Sequence, residues 1–175
     1  MAEDEQILEA KENKDNKEYF SNIVKTNPKL IEWANDEIRD DKEILLRAIK
    51  TNGEVLEFAS DRLKNDKEIL LEATKNNGWT ICYASEKLRN DKDVVISAVS
   101  NDGQALYYAS SKLRDNKEVV KIAVSNKPII VKYASLRMRK DKEIAKIVLS
   151  KDKRCIEFFA EELQKDPDIL QILEN

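Results

Sequence analysis

The apolar residues of this chain fall into columns that return every 25 residues. A polar tripeptide marks the register. Asp41-Lys42-Glu43 recurs as Asp66-Lys67-Glu68, Asp91-Lys92-Asp93, Asn116-Lys117-Glu118 and Asp141-Lys142-Glu143. An earlier copy begins at Asn16-Lys17-Glu18 and a truncated one at Asp166-Pro167-Asp168. With that Asp or Asn as position one, six units run 16–40, 41–65, 66–90, 91–115, 116–140 and 141–165, and a half-unit spans 166–175. Residues 1–15 form an acidic N-terminal cap segment whose Ile7 and Leu8 are placed to cover the open end of the first unit.

Position four is Tyr19, Ile44, Ile69, Val94, Val119 and Ile144. Position eight is Ile23, Ala48, Ala73, Ala98, Ala123 and Val148, and position nine is Val24, Ile49, Thr74, Val99, Val124 and Leu149. Offsets of four and five residues share one helical face. The Asp or Asn at position one is a good N-cap, and the acid at position three suits the first-turn dipole. Pro167 falls at the first helical position, where its missing amide costs nothing. The pattern predicts a helix A over positions two to eleven. It must stop at Asn52-Gly53, Asn77-Gly78, Asp102-Gly103, Asn27-Pro28 and Lys127-Pro128. Gly is expected there in the left-handed conformation that ends a helix, and Pro cannot continue one.

A second pattern follows. Position sixteen is Ile31, Leu56, Ile81, Leu106, Val131 and Ile156, and position eighteen is Trp33, Phe58, Tyr83, Tyr108, Tyr133 and Phe158. Position nineteen is Ala in units one to five and Phe159 in unit six, and position twenty-three is Ile, Leu or Met throughout. These offsets predict a helix B over positions fourteen to twenty-four. Ser60, Ser85, Ser110 and Ser135 at position twenty can each cap a new turn, so the alternative is a helix B broken there, its second piece 3₁₀. One unit cannot bury its apolar face alone, and stacking neighbours completes a core. The fold class is therefore all-α: a solenoid of six tandem helical-hairpin repeats plus a C-terminal half-repeat, one repeat domain over 16–175. The aromatic column reads as core.

The columns read D-K-E-[IV]-x-x-x-A-x-x-x-N-G-x-x-x-x-[YF]-A-S-x-x-L-[RK]-[ND]. This resembles the bacterial repeat family called domain of unknown function 4116, most closely in units two to four at Asp66-Lys67-Glu68, Asn77-Gly78, Ala84-Ser85 and Leu88. The resemblance implies tandem helical repeats and no established activity. A looser similarity, to leucine-rich-variant repeats, implies alternating α- and 3₁₀-helices.

Composition narrows the chemistry. The chain has no His, three Gly each isolated in a turn, and two Cys, Cys82 and Cys155, far apart in sequence. The commonest general base, phosphate loops and thiolate or imidazole metal sites are all missing. No enzyme, cofactor or metal is expected. Charged residues make up 37% with a net charge of −3, which disfavours nucleic acid as the main partner. No apolar run is long enough for a membrane, and the acidic start is no signal peptide. Cytoplasmic location is the expectation, with signal-independent secretion left open.

The informative signal is where units differ. On a continuous helix B, positions fourteen, seventeen and twenty-one share a face. In outer units it is acidic, with Glu54, Glu57 and Asp61 before the centre and Glu157 and Glu161 after it. In units three to five it turns apolar: Trp79, Cys82, Tyr107, Ile129 and Leu136. An apolar ridge rimmed by acids predicts a protein- or peptide-binding scaffold with a preference for a basic partner. Two alternatives stand beside it. Lys64, Arg89, Arg114 and Arg139 at position twenty-four, with the constant Lys at position two, are candidate phosphate contacts for a nucleic acid. A structural module would instead hide the ridge in a homodimer, so the chain is either a monomer or a dimer.

Overall fold

The computed structural model describes residues 2–174; Met1 and Asn175, the outermost residues of the cap segment and the half-unit, lie outside them. It is an all-helical solenoid, with no strand among the described residues. A first helix, Ala2–Glu12, precedes the array. Each unit then repeats three pieces. The long helices are Lys17–Ile23, Lys42–Thr51, Lys67–Asn76, Lys92–Asn101, Lys117–Asn126 and Lys142–Leu149, with Pro167–Glu174 in the half-unit. In units two to five these bounds are positions two to eleven. Asp41, Asp66 and Asp91 cap units two to four and Asp141 caps unit six, each accepting from two free amides, as Asp41 does from Glu43 and Ile44 at 3.0 Å, while Asn116 caps unit five through the Val119 amide.

The continuous helix B does not form. Its place is taken by a 3₁₀ segment at positions thirteen to eighteen: Pro28–Trp33, Gly53–Phe58, Gly78–Tyr83, Gly103–Tyr108, Pro128–Tyr133 and Lys153–Phe158. Position nineteen is extended, and position twenty caps a single turn such as Asp61–Lys64, Glu86–Arg89 or Ser111–Arg114. The 3₁₀ piece is thus the first, not the second; unit five alone has both pieces 3₁₀, ending in Met138–Lys140. The Asn or Asp at position twelve explains the start. Asn52, Asn77, Asp102 and Asp152 each accept from the amide two residues on, opening the 3₁₀ segment. Unit six, which lacks both Gly and Pro at position thirteen, turns in the same way on Asp152.

No glycine has a positive φ, so the left-handed reading of Gly53, Gly78 and Gly103 is overturned. Their role is close approach. A Cβ on Gly53 would stand 2.8 Å from the Ala73 carbonyl oxygen, and on Gly78 or Gly103 it would collide with the Ala98 or Ala123 carbonyl. The next unit's long helix sits directly on the turn, and only hydrogen fits between.

The core runs unbroken along the array. It takes positions four, eight and nine as predicted, and also position five (Leu45, Leu70, Val95, Val120) and position fifteen (Val55, Thr80, Ala105, Cys155). Full burial of one aliphatic side chain stabilises by about 1.5–3 kcal/mol, and each junction buries several. Buried Thr74 satisfies its hydroxyl on the Leu71 carbonyl and Ser97. The N-terminal helix covers the first unit with Ala10 and half-buried Ile7, whereas Leu8 is 60% exposed and covers nothing.

Polar contacts then register one unit on the next. Ser85 and Ser110 donate to Asn65 and Asn90 of the preceding unit at 2.5 and 2.7 Å. Ser60 and Ser135 donate to Asp40 and Asp115, which Arg62 and Arg137 also bind through both carboxylate oxygens. Backbone amides of Ser110, Ser135 and Ala160 donate to the Arg89, Arg114 and Arg139 carbonyls at 3.0–3.1 Å. This last ladder fixes where the position-twenty-four arginines stand.

Candidate functional site

A 3₁₀ helix has three residues per turn, so side chains three apart eclipse. Positions thirteen, fifteen and sixteen turn inward. Positions fourteen and seventeen therefore share the outer edge, pairing Trp79 with Cys82, Gln104 with Tyr107 and Ile129 with Lys132. Trp79 is 43% and Tyr107 54% exposed, while Cys82 and Ile129 are half-buried.

The aromatic column is half-buried along the array rather than enclosed in the core. In the central units it joins the exposed edge. Trp79 packs edge-to-face with Tyr108, ring centroids 5.0 Å apart. Tyr107 packs in the same way with Tyr108 at 5.0 Å and Tyr133 at 4.9 Å. Four rings from three successive units form one cluster. Sequence reasoning missed Tyr108 and Tyr133 as part of it. A signal was present: the column is tyrosine only in units three to five, and a tyrosine adds a polar handle that a phenylalanine lacks.

The break after position eighteen relocates Leu136. Ala134 is extended and Ser135 accepts from the Met138 amide at 3.2 Å, so Leu136 shares no helix with Ile129. Leu136 is 59% exposed and borders a groove of about 340 Å³ with Tyr133, Arg114 and Arg139. Tyr133 thus connects it to Tyr107. Ile129 lies apart, in a groove shared with Pro128, Asp152, Arg154 and Glu157 of the unit-six side.

The acids stand at the two ends of the face rather than around it. Glu54 accepts from Asn77 at 3.3 Å. Burial, then Cys82 and Glu57, push the Tyr83 hydroxyl up to about 12, and burial and Glu57 also raise the Cys82 thiol. Asp61 borders a groove with Asp36, Arg39 and Phe58. At the far end Glu157 flanks Ile129, and exposed Glu161 pairs with Lys165 at 2.5 Å.

The constant lysine of position two is partly exposed and reaches carboxylates of the next unit. Lys42 bridges Asp66 and Glu68 of the next unit, both at 2.8 Å, and Lys67 bridges Asp91 and Asp93 at 2.8 Å. Lys17, Lys92, Lys117 and Lys142 repeat the contact. This ladder accounts for the Asp-Lys-Glu signature and gives each of these lysines a carboxylate partner. The position-twenty-four column differs. Lys64, Arg89, Arg114 and Arg139 are half-buried, and the Nε of each of the three arginines is buried without a hydrogen-bond partner. Arg89 and Arg114 border a groove of about 690 Å³ with Tyr107 and Tyr108.

Among the described residues no three His, Cys, Asp or Glu side chains cluster as metal ligands. No helix among them is long and apolar enough to cross a membrane. Cys82 is half-buried and Cys155 buried, both as free thiols. Burial, then Asp152, raise the Cys155 thiol.

A family model described as "Domain of unknown function (DUF4116)" matches at residues 16–64, 41–89, 66–114, 91–139 and 116–164. The matches overlap, cover most of the chain, and each begins at position one of a unit. The chain belongs to this family. Each family match spans two structural units, so the family's own motif contains one complete junction. Comparison with curated proteins and with solved structures returned no match.

Proposed function

We propose that the chain is a non-catalytic, cytoplasmic interaction scaffold that docks a partner protein segment on the face of Trp79, Tyr107 and Leu136. The observation that carries this reading is the exposed aromatic cluster. At the same unit positions the outer units place Glu54 and Arg154, or Glu32, Glu57 and Glu157. Adjoining large apolar side chains held in solvent mark interaction surfaces, and aromatic anchors dominate such interfaces. Edge-to-face packing holds these rings in place before binding, which lowers the ordering cost of association. The acids at either end set the limits of the face. Paired lysines at position two weigh against a phosphate-backbone reading.

The test is capture from the source cell's lysate on the immobilised chain, wild type against Trp79→Ala/Tyr107→Ala, with circular dichroism on both. The expected result is that captured proteins disappear while helicity stays. An unchanged captured set refutes the reading. A doubled mass in light scattering that the double substitution halves would assign the face to self-association instead.

A further inference from the structure

The two grooves beside the aromatic cluster are predominantly basic. Arg89 and Arg114 border one; Arg114, Arg139 and Lys132 border the adjoining one, which shares Arg114 and Ser111 with it. Glu86 is the single carboxylate among the described residues bordering the pair. The equivalent groove of units one and two carries Asp36 and Asp61, and its Arg39 is already paired with Asp36. No carboxylate pair of that kind forms at Arg89, Arg114 or Arg139 among the described residues; their Nε atoms are buried without an acceptor, as is that of Arg39, so the missing carboxylate is what sets the three apart. A guanidinium offers five donors in a fork that matches a carboxylate, and a buried donor left without an acceptor is costly.

We infer that units three to five bind an extended acidic segment of a partner protein. Its carboxylates meet Arg89, Arg114 and Arg139, and its apolar side chains lie on Tyr107, Tyr133 and Leu136. This rests on the docking face proposed above and supplies the partner's chemistry. It replaces the basic partner expected from the sequence, because the acids occupy only the ends. The spacing agrees. Packed helical layers repeat every ~8–10 Å, and a polyproline II segment rises ~3.1 Å per residue with about three residues per turn, so an acid at every third residue stays on one face and keeps pace with the arginines. A nucleic acid fits less well. A continuous polyanion running beyond three units meets Glu54, Glu57 and Asp61 at one end and Glu157 and Glu161 at the other. The rings are also engaged edge-to-face with one another, which limits base stacking.

The test is fluorescence anisotropy on the full chain with labelled peptides of repeated Glu-Leu-Ala, and the same peptide with Gln or Lys in place of Glu. A single-stranded thymidine oligonucleotide is the fourth probe. The Glu peptide is expected to bind at least ~10-fold tighter than the Gln peptide, to lose affinity with salt, and to lose ~10-fold more with Arg114→Gln/Arg139→Gln. Lys50→Gln, on the exposed long-helix surface, leaves binding unchanged. The Glu-versus-Gln comparison on wild type needs no variant to fold. Equal binding of the Glu and Gln peptides, both abolished by Trp79→Ala/Tyr107→Ala, overturns the acidic-segment inference and leaves the docking face standing. Tighter binding of the Lys peptide or of the oligonucleotide overturns it, as does no binding by any peptide.

Discussion

Asn101 closes the turn of the unit before its own by gripping Gly78. Its Oδ1 accepts from the Gly78 amide at 2.8 Å, and its Nδ2 donates to the Lys75 carbonyl at 2.9 Å. Asn76 and Asn126 hold Gly53 and Gly103 in the same way. Where position thirteen is Pro28 or Pro128 there is no amide to satisfy, and the next unit carries Thr51 or Lys151 instead of Asn. Lys151 keeps only the donor half of the grip, on the Ser125 carbonyl.

This pairing predicts coupling between positions 23 residues apart. Pro128→Gly alone exposes a half-buried amide without an acceptor, and Lys151→Asn alone supplies an acceptor with nothing to accept from. Together they rebuild the grip. A double-mutant cycle by urea denaturation is expected to show ~1 kcal/mol of favourable coupling. Strict additivity would show the Gly–Asn correspondence to be without energetic content.

Gly78→Ala pushes a methyl group into the Ala98 carbonyl and the Asp102 amide. Overpacking against backbone that cannot rotate away costs ~1–3 kcal/mol. Gly53→Ala meets its nearest atom at 2.8 Å and is expected to cost less. Thermal melts should rank the variants wild type, Gly53→Ala, Gly78→Ala in falling stability. A neutral Gly78→Ala would mean that the two units part readily at this junction.

The lysine ladder predicts a plateau of stability against pH. For Asp66, Asp91 and Asp141 burial raises the carboxyl, but the lysine pairs and capped amides together hold it below 3.8. Hydrogen bonds to the paired carboxylates hold Lys42, Lys67 and Lys117 above 10.5. A depressed acid stabilises the fold above its unfolded value and loses that effect as pH falls through its folded value. A raised lysine stabilises below its unfolded value and loses that effect as pH rises through its folded value. Urea midpoints should therefore stay level between about pH 4 and about pH 10 and fall on both sides, as the folded values lie below 3.8 and above 10.5. Replacing Asp66, Asp91 and Asp141 with Asn keeps an N-cap, as Asn116 does naturally, and should flatten the acid limb. An acid limb unchanged by that replacement would assign it to other carboxylates.

The long helices were legible because a cap at position one and apolar residues at four, eight and nine have a single helical solution. The second half of the unit was not. Offsets of three, as between positions sixteen and nineteen, fit α and 3₁₀ geometry alike, so the columns could not choose between them. Burial of Val55 and its counterparts at position fifteen did not discriminate either, since an α-helix also places that position on the face of position nineteen, four residues on. The glycines were found, but their purpose was not, since the carbonyl that excludes a side chain belongs to the next unit. Trp79, Tyr107 and Leu136 were legible as departures from the outer units. The arginines were visible only as a column, although the difference among them is local: Arg39 pairs with Asp36 three residues back in the same turn, whereas Ser111 and Leu136 stand at that offset before Arg114 and Arg139.

Every asparagine grip points backward, from a unit to its predecessor. A turn is therefore completed by residues that leave the ribosome after it, and never by a distant segment returning from elsewhere. Each grip joins a unit only to its immediate predecessor, so the contacts that close these turns stay 23 residues apart in sequence however many units the array holds.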